Sequence, residues 1–312
     1  MAANKRRRSR RRQRDVYQEI TEKIVKALEG GTVPWRRPWR DFGMQRNLSS
    51  GRPYRGVNQL LTQLTQQARG YDSPLWLTYR GAERAGGNVR RGERGTLVVL
   101  WKRLLVKDEE TDEKKLVWWI RPYTVFNLDQ VDGVEPPASE DKRLEFDPIE
   151  RCEQLLARMP SPPIVEHRPG GAFYIAASDT ITLPPRESFY EVEGYYATRF
   201  HEAVHSTGHR SRLDRELAPK SDEQAYSREE LIAELGAAML CGTAGIAPQR
   251  LEQSAAYIGS WLRALRDDKR MVVSASQHAQ RAVDYVLDQR PQDGSEASGE
   301  EGSEESSAAS AA

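Results

Sequence analysis

Residues 192–209 read VEGYYATRFHEAVHSTGH, and the spacing inside this stretch decides what the second half of the chain can be. His201 and His205 are four apart. On an α-helix that places them about 40° from one another on one face, where two imidazoles can grip a single ion. Glu202 stands beside the first histidine. A catalytic zinc takes three protein ligands and keeps a fourth position for water, whose acidity it raises, and a glutamate in this place can take the water's proton. Tyr195, Tyr196 and Phe200 precede the motif at helical spacing, and Gly208 follows where a helix should end. The pattern predicts a helix from about Val192 through both histidines.

A third protein ligand is required. In SREELIAELGAAMLC, residues 227–241, Glu230 and Glu234 are four apart and share a helix face with Ala237, Ala238 and Cys241. Small residues there would let this helix approach the histidine helix closely. The reading assigns Glu230 as third ligand and Glu234 as the acceptor that orients a ligand imidazole. The alternative, with Glu234 as ligand, stays open. Glu229 falls on another face and reads as solvent-facing. His209 lies only four residues after His205, directly behind Gly208, too near for the longer motif whose third histidine follows six after; it reads as a polar loop residue. The segment DTITLPP, Asp179 to Pro185, alternates Ile181 and Leu183 and ends in a double proline. It reads as an edge strand beside the cleft, against which an extended peptide could add.

Working outward, 312 residues leave room for about two domains. A hydrophobic fraction of 38% and a mean hydropathy of −0.74 describe a soluble chain, and no stretch approaches the roughly 18 apolar residues of a membrane span. The N-terminus lacks the apolar run of a secretory signal, and two cysteines, Cys152 and Cys241, fit buried thiols in a reducing cytoplasm. The net charge of +1 hides a basic run, KRRRSRRRQR at residues 5–14, and an acidic end from Asp293 onward. Neither tail carries enough apolar surface to fold. The expected organisation is a basic arm at 1–15, a first domain at 16–131, a Pro- and charge-rich linker at 132–147, a second domain at 148–290 and an acidic tail at 291–312. Oligomeric state is not legible.

In the first half, Val16, Ile20, Ile24, Ala27 and Leu28 recur at helical spacing before Gly30 and Gly31. A second helical run follows Gly56 and Asn58. TLVVLWKRL and LVWWIRPYTVFNL read as antiparallel partners, giving a small α+β domain with a β-hairpin. Trp35, Trp39, Tyr54, Trp76 and Tyr79 interleave with Arg36, Arg37, Arg40, Arg52, Arg55 and Arg80. Aromatic faces stack unpaired bases while arginines track phosphates, so this mixture suits single-stranded nucleic acid, although aromatics are also ordinary core residues. Arg90, Arg91 and Arg94, set among Gly86, Gly87, Gly92 and Gly95, add a basic loop.

Taken in order, PWRRPW, SGRPYRGVN, GGNVRRGERGTLVVLW, YTVFNLDQ, DTITLP, HEAVHSTGHRSRL and REELIAELGAAML resemble the plasmid antirestriction proteins of the ArdC type over about residues 16–290. The resemblance implies an α+β chain with an N-terminal domain that binds single-stranded DNA and a C-terminal zincin-like metallopeptidase domain. It also implies a role in protecting incoming mobile-element DNA from host restriction. His201, His205 and Glu202 carry over, with an acidic third ligand. The expected site is one Zn²⁺ held by His201, His205 and Glu230, with Glu202 as general base. The expected DNA contacts are Trp35, Arg36, Arg37, Trp39, Arg52, Tyr54, Arg55, Asn58, Arg90, Arg91 and Arg94, and the metal site would take a peptide or protein substrate. Two rival readings remain: a DNA-binding protein whose zinc is not proteolytic, and a general zinc protease whose first domain selects protein substrates. The arginine-rich tail has no counterpart in the family pattern.

Overall fold

Val16, Ile20, Ile24 and Leu28 line the buried face of helix α1, Val16–Glu29, as their spacing requires. The Asp15 side chain caps it by accepting from the backbone N–H of Gln18 at 3.1 Å. In this computed structural model the described residues are 15–35, 44–107, 114–136, 148–215, 217, 222–246 and 254–289. Both tails and residues 137–147 of the expected linker lie outside them.

Helix α2, Val57–Arg69, packs on a four-stranded sheet ordered β1 (Arg46–Asn47), β2 (Leu75–Leu77), β5 (Lys114–Asn127), β4 (Thr96–Lys107). β4 and β5 form the antiparallel hairpin expected, with Thr96 opposite Val125 and Lys107 opposite Lys114. Pieces too short to show a period were not anticipated. They are β1, β2, helix α3 (Tyr79–Arg84) and the pair β3 (Asn88–Val89) and β6 (Val131–Asp132).

After α4, Pro148–Leu156, come β7 (Ile164–His167), β8 (Phe173–Ile175) and β9 (Thr180–Leu183). Their order is β7-β9-β8, with β9 parallel to β7 and antiparallel to β8. This corrects the reading of DTITLPP as an edge. Pro184 and Pro185 do end the strand, but all four residues of β9 are buried in the middle of the sheet. The prolines stop the strand along its length and say nothing about its neighbours on either side. Four helices complete the half: α5 (Val192–Ser206), α6 (Glu223–Ala244), α7 (Ser254–Asp267) and α8 (Met271–Val286).

The main hydrophobic cluster draws on both halves of the chain. Ile20, Ile24, Trp35 and Leu60 belong to it together with Phe200, Leu231, Trp261 and Val272. Trp35 is 1% exposed and meets Trp261 edge to face at 5.4 Å between ring centroids. Beside this core, Arg55 Nη2 donates to both carboxylate oxygens of Asp284 on α8 at 2.6 Å.

A glycine on α6 lets this helix pack tightly on α5. A Cβ at Gly236 would stand 2.7 Å from Val204 Cγ2 and 3.0 Å from Cγ1. Ala is the better helix former by up to about 1 kcal/mol, but overpacking a rigid β-branched neighbour costs about 1–3 kcal/mol, so the clash wins. Gly236→Ala should therefore lower stability by about 1–2 kcal/mol in a denaturant titration. Adding Val204→Ala should recover part of the overpacking loss, and a stabilised single variant would show that the helices can separate freely.

Candidate metal centre

Helix α5 presents His201 and His205 toward α6, which presents Glu230. The two Nε2 atoms are 3.1 Å apart, and Glu230 reaches His201 Nε2 at 3.6 Å and His205 Nε2 at 3.7 Å. One ligand atom from each of the three lies within 4.8 Å of the others. Ligand atoms about 2.0–2.1 Å from a tetrahedral zinc stand about 3.3 Å from one another, so the spacing and the donor types fit a divalent cation. Burial alone would lower the His201 imidazole, but its hydrogen bond with Glu230 and the charges of Glu202, Glu234 and Glu230 outweigh it and raise the group to about 9. Burial would likewise raise Glu230. The hydrogen bond from His201, both imidazoles and a hydrogen bond with Tyr226 override it and hold Glu230 at about 2. Glu202 is buried at 6% exposure one residue along α5.

The orientation of His205 comes from a residue the sequence reading misplaced. Glu229 is buried at 8% exposure rather than facing solvent, and its Oε1 lies 3.2 Å from His205 Nδ1. That contact lets Nδ1 donate to the carboxylate and leaves Nε2 facing Glu230. Arg215 fixes Glu229 in turn, donating from Nη2 at 2.7 Å and from Nε at 3.2 Å, while its other donors meet Thr207 Oγ1 and the Val204 carbonyl. The orienting role expected of Glu234 is filled at His205 by Glu229. Glu234 is buried one turn further along α6, near enough for its charge to act on His201. Glu229 was misread because "another face" of an amphipathic helix usually means water, whereas α6 is buried nearly all round from Ser227 to Cys241. Arg215 carried no sequence signal, since it reaches Glu229 across a loop.

Gly208 lies just beyond the end of the histidine helix, which closes at Ser206 with Thr207 as its C-cap. A Cβ there would stand 2.6 Å from Leu217 Cδ2, so the position needs space. His209 is a loop residue whose Nδ1 faces Ser211 Oγ at 2.7 Å.

The expected DNA contacts divide three ways. Arg36, Arg37 and Trp39 lie outside the described residues. Trp35 and Tyr54, together with Trp76, are in the interior, at 1%, 7% and 0% exposure, so these rings cannot offer a face to a base. Asn58 is also buried, exchanging hydrogen bonds of 2.7 Å with both backbone groups of Val99. Arg55 is held on Asp284. Arg90 is exposed but paired with Asp132 at 3.2 Å and Glu93 at 3.4 Å, and it bonds the Asp129 carbonyl. Arg52, Arg91 and Arg94 are exposed. Composition could not separate core aromatics from a stacking platform.

Two histidines one turn apart, a carboxylate from the next helix and a glutamate inside the histidine motif define a zincin-like domain, here joined to an α+β N-terminal half. Residues 150–278 match the family model of zincin-like metallopeptidases, and residues 14–126 match that of the N-terminal domain of anti-restriction factor ArdC. The fold matches crystal structures of the antirestriction ArdC protein from the R388 plasmid at 40% sequence identity. The metal-free form gives a TM-score of 0.74 over 89% of this chain and 100% of that one. The Mn(II)-bound form gives 0.73 over 88% and 98%. A protein of Sinorhizobium fredii designated y4eC is 36% identical over 285 residues, 87% of this chain and 91% of that protein. The DNA primase TraC of Escherichia coli is 36% identical over 292 residues, and the match spans only 20% of the primase. The chain belongs to the ArdC-type antirestriction family.

Removing Glu230 and removing the support behind His205 should have different sizes. Glu229→Gln should weaken metal binding by about 10–100-fold, the usual loss when a histidine's outer partner is changed, and Glu230→Ala should weaken it more. Chelator competition ranks them. Retention of metal by Glu230→Ala with its loss from Glu234→Ala would transfer the ligand role to Glu234.

Proposed function

We propose that this chain protects incoming mobile-element DNA from host restriction. In this reading it binds single-stranded DNA through its N-terminal half and one Zn²⁺ through His201, His205 and Glu230. The observation that carries it is the convergence of two imidazoles and a carboxylate beside buried Glu202, in a chain whose two halves match an antirestriction family in order. Antirestriction is what the R388 relative's name records, and that relative has been crystallised with Mn(II). Two imidazoles and one carboxylate suit zinc as well.

Zinc bound here supplies a Lewis acid that acidifies water and polarises a carbonyl. The work of the protein's own residues follows from their placement. Glu202 takes a proton from water on its carboxylate. Glu229 keeps the His205 proton on Nδ1, so that Nε2 stays available. A peptide strand would add at β8 rather than at β9, because β8 is an edge strand that packs on α5 and exposes Phe173 and Ile175. On the DNA side, exposed Arg52, Arg91 and Arg94 supply phosphate contacts, and the basic run at 5–14 adds salt-dependent affinity. Among the described residues no helix is long and apolar enough to cross a membrane.

Elemental analysis should find about one zinc per wild-type chain and little in His201→Ala. Glu202→Gln should keep metal, fold and single-stranded DNA affinity while any peptidase activity falls by about 10²-fold or more. Plasmid transfer into a restricting host then decides the biology. Loss of protection in Glu202→Gln makes proteolysis the means, and full protection by it assigns the role to DNA binding. A wild-type chain that gives no protection would sink the antirestriction reading.

A further inference from the structure

Trp35, Tyr54 and Trp76 are folded into the core, but one ring of the N-terminal half stays outside it. Tyr79, the first residue of α3, is 53% exposed, and among the described residues of this half it is the one large hydrophobic side chain that stands exposed. Its ring is braced. It meets Phe126 of β5 edge to face, with centroids 6.4 Å apart and planes at 68°. The Thr78 side chain caps α3 by accepting from the Gly81 N–H at 3.0 Å, which fixes the turn that carries Tyr79. An exposed ring already held by its neighbours gives up little freedom when a flat partner lies on it.

Two glycines bring basic segments up to this ring. A Cβ at Gly95 would overlap Thr124 Cγ2 and stand 3.1 Å from Phe126 Cζ, so glycine lets the segment that carries Arg91 and Arg94 pass close against β5. A Cβ at Gly81 on α3 would stand 3.5 Å from Ser49 Oγ, which sets the loop that carries Arg52 beside this helix. Arg80 follows Tyr79 directly. Arg52, Arg80, Arg91 and Arg94 are exposed, and among the described residues their side chains form no hydrogen bond or ion pair. The acids nearby do not balance them. Glu93 and Asp132 both pair with Arg90, at 3.4 and 3.2 Å. Asp129 accepts from the backbone N–H groups of Asp72 and Ser73. On α3 itself Glu83 is the one acid, against Arg80 and Arg84.

Uncompensated guanidiniums around an exposed, braced ring call for a partner that carries both anions and flat faces. A strand with unpaired bases has the two in alternation. A duplex offers the phosphates but keeps its bases stacked inside, so it would use the arginines without the ring. We propose that Tyr79 stacks an unpaired base of single-stranded DNA, with Arg52, Arg80, Arg91 and Arg94 on the phosphates to either side. The proposal rests on the single-stranded DNA binding put forward above and locates it on α3 and the two segments beside it.

Anisotropy titrations of the full-length chain with a fluorescent 20-nucleotide oligo-dT test it. Tyr79→Ala should weaken binding by about tenfold, the scale of one stacked base, and Tyr79→Trp should bind at least as tightly as the wild type. Tyr79→Leu, which keeps an apolar contact for Phe126 but has no ring, should lose as much as Tyr79→Ala and guards against a folding defect in it. An abasic 20-mer and a duplex of the same length should bind the wild type and Tyr79→Leu equally. Arg80→Ala should reduce the slope of log affinity against log salt by about 0.7, the share of one phosphate contact on a single strand. Glu83→Gln should tighten oligo-dT by about twofold, a change opposite in sign to that of damage to the fold. Wild-type affinity for oligo-dT in Tyr79→Leu, or an equal loss on the abasic strand, would overturn Tyr79 as a stacking site while leaving single-stranded DNA binding in place. No binding of oligo-dT by the wild type would overturn that binding itself, and this site with it.

Discussion

Four glutamates, Glu202, Glu229, Glu230 and Glu234, are buried at 6–8% exposure on two adjacent helices. Arg215 is hydrogen-bonded to this group through Glu229. Four carboxyl groups beside two imidazoles concentrate acidic groups in an interior, where uncompensated charge is strongly destabilising. Without a metal the protein recovers part of this by protonation, which is why His201 is raised to about 9 against the lowering effect of its own burial. A divalent cation compensates more fully and displaces that proton. The donor geometry says where such an ion sits, and the charge balance says why the fold favours one.

Holding that cluster together demands exact helix placement, and the packing around it follows. Gly236 lets α6 close on Val204, which brings Glu230 within 3.7 Å of both imidazole nitrogens. The loop after α5 must then fold back so that Arg215 reaches Glu229, and Arg212 anchors its middle. The Arg212 side chain is 1% exposed and pairs with Asp179 at 2.7 Å, at the turn that leads into β9. That guanidinium keeps the Asp179 carboxyl below the usual range, and burial with the hydrogen bond to Asp179 pushes the Tyr174 phenol up to about 12. The sheet, the loop and the histidine helix are thereby tied through one buried arginine.

The parts of this design that a sequence displays are the local ones. Two histidines four apart declare their shared face because the helix repeat alone brings them together, and α1 and α2 show the same kind of periodic stripe. The β4–β5 hairpin was legible from two apolar runs around a charged turn. What escaped depends on distant partners. Glu229 reads as a surface acid until α6 is known to be buried all round, and β9 reads as an edge until β7 and β8 are seen on either side of it. Trp35 and Trp76 have the same composition whether they face water or the core. For Trp35 the deciding partner, Trp261, lies 226 residues further along the chain.

That last contact bears on how the chain is divided. Two family models recognise residues 14–126 and 150–278 separately, yet α1 packs against α7 and α8, and Trp35 is enclosed by Trp261. Burial raises the Asp284 carboxyl on α8, and Arg55 from the other half opposes that shift. Removing residues 15–69 would strip a covering of apolar side chains from α7 and α8 and leave a buried aspartate without its cation. Each loss alone is of the size that unfolds marginal proteins. The two halves therefore share one core, and the N-terminal half is part of what keeps the helices of the metal site packed.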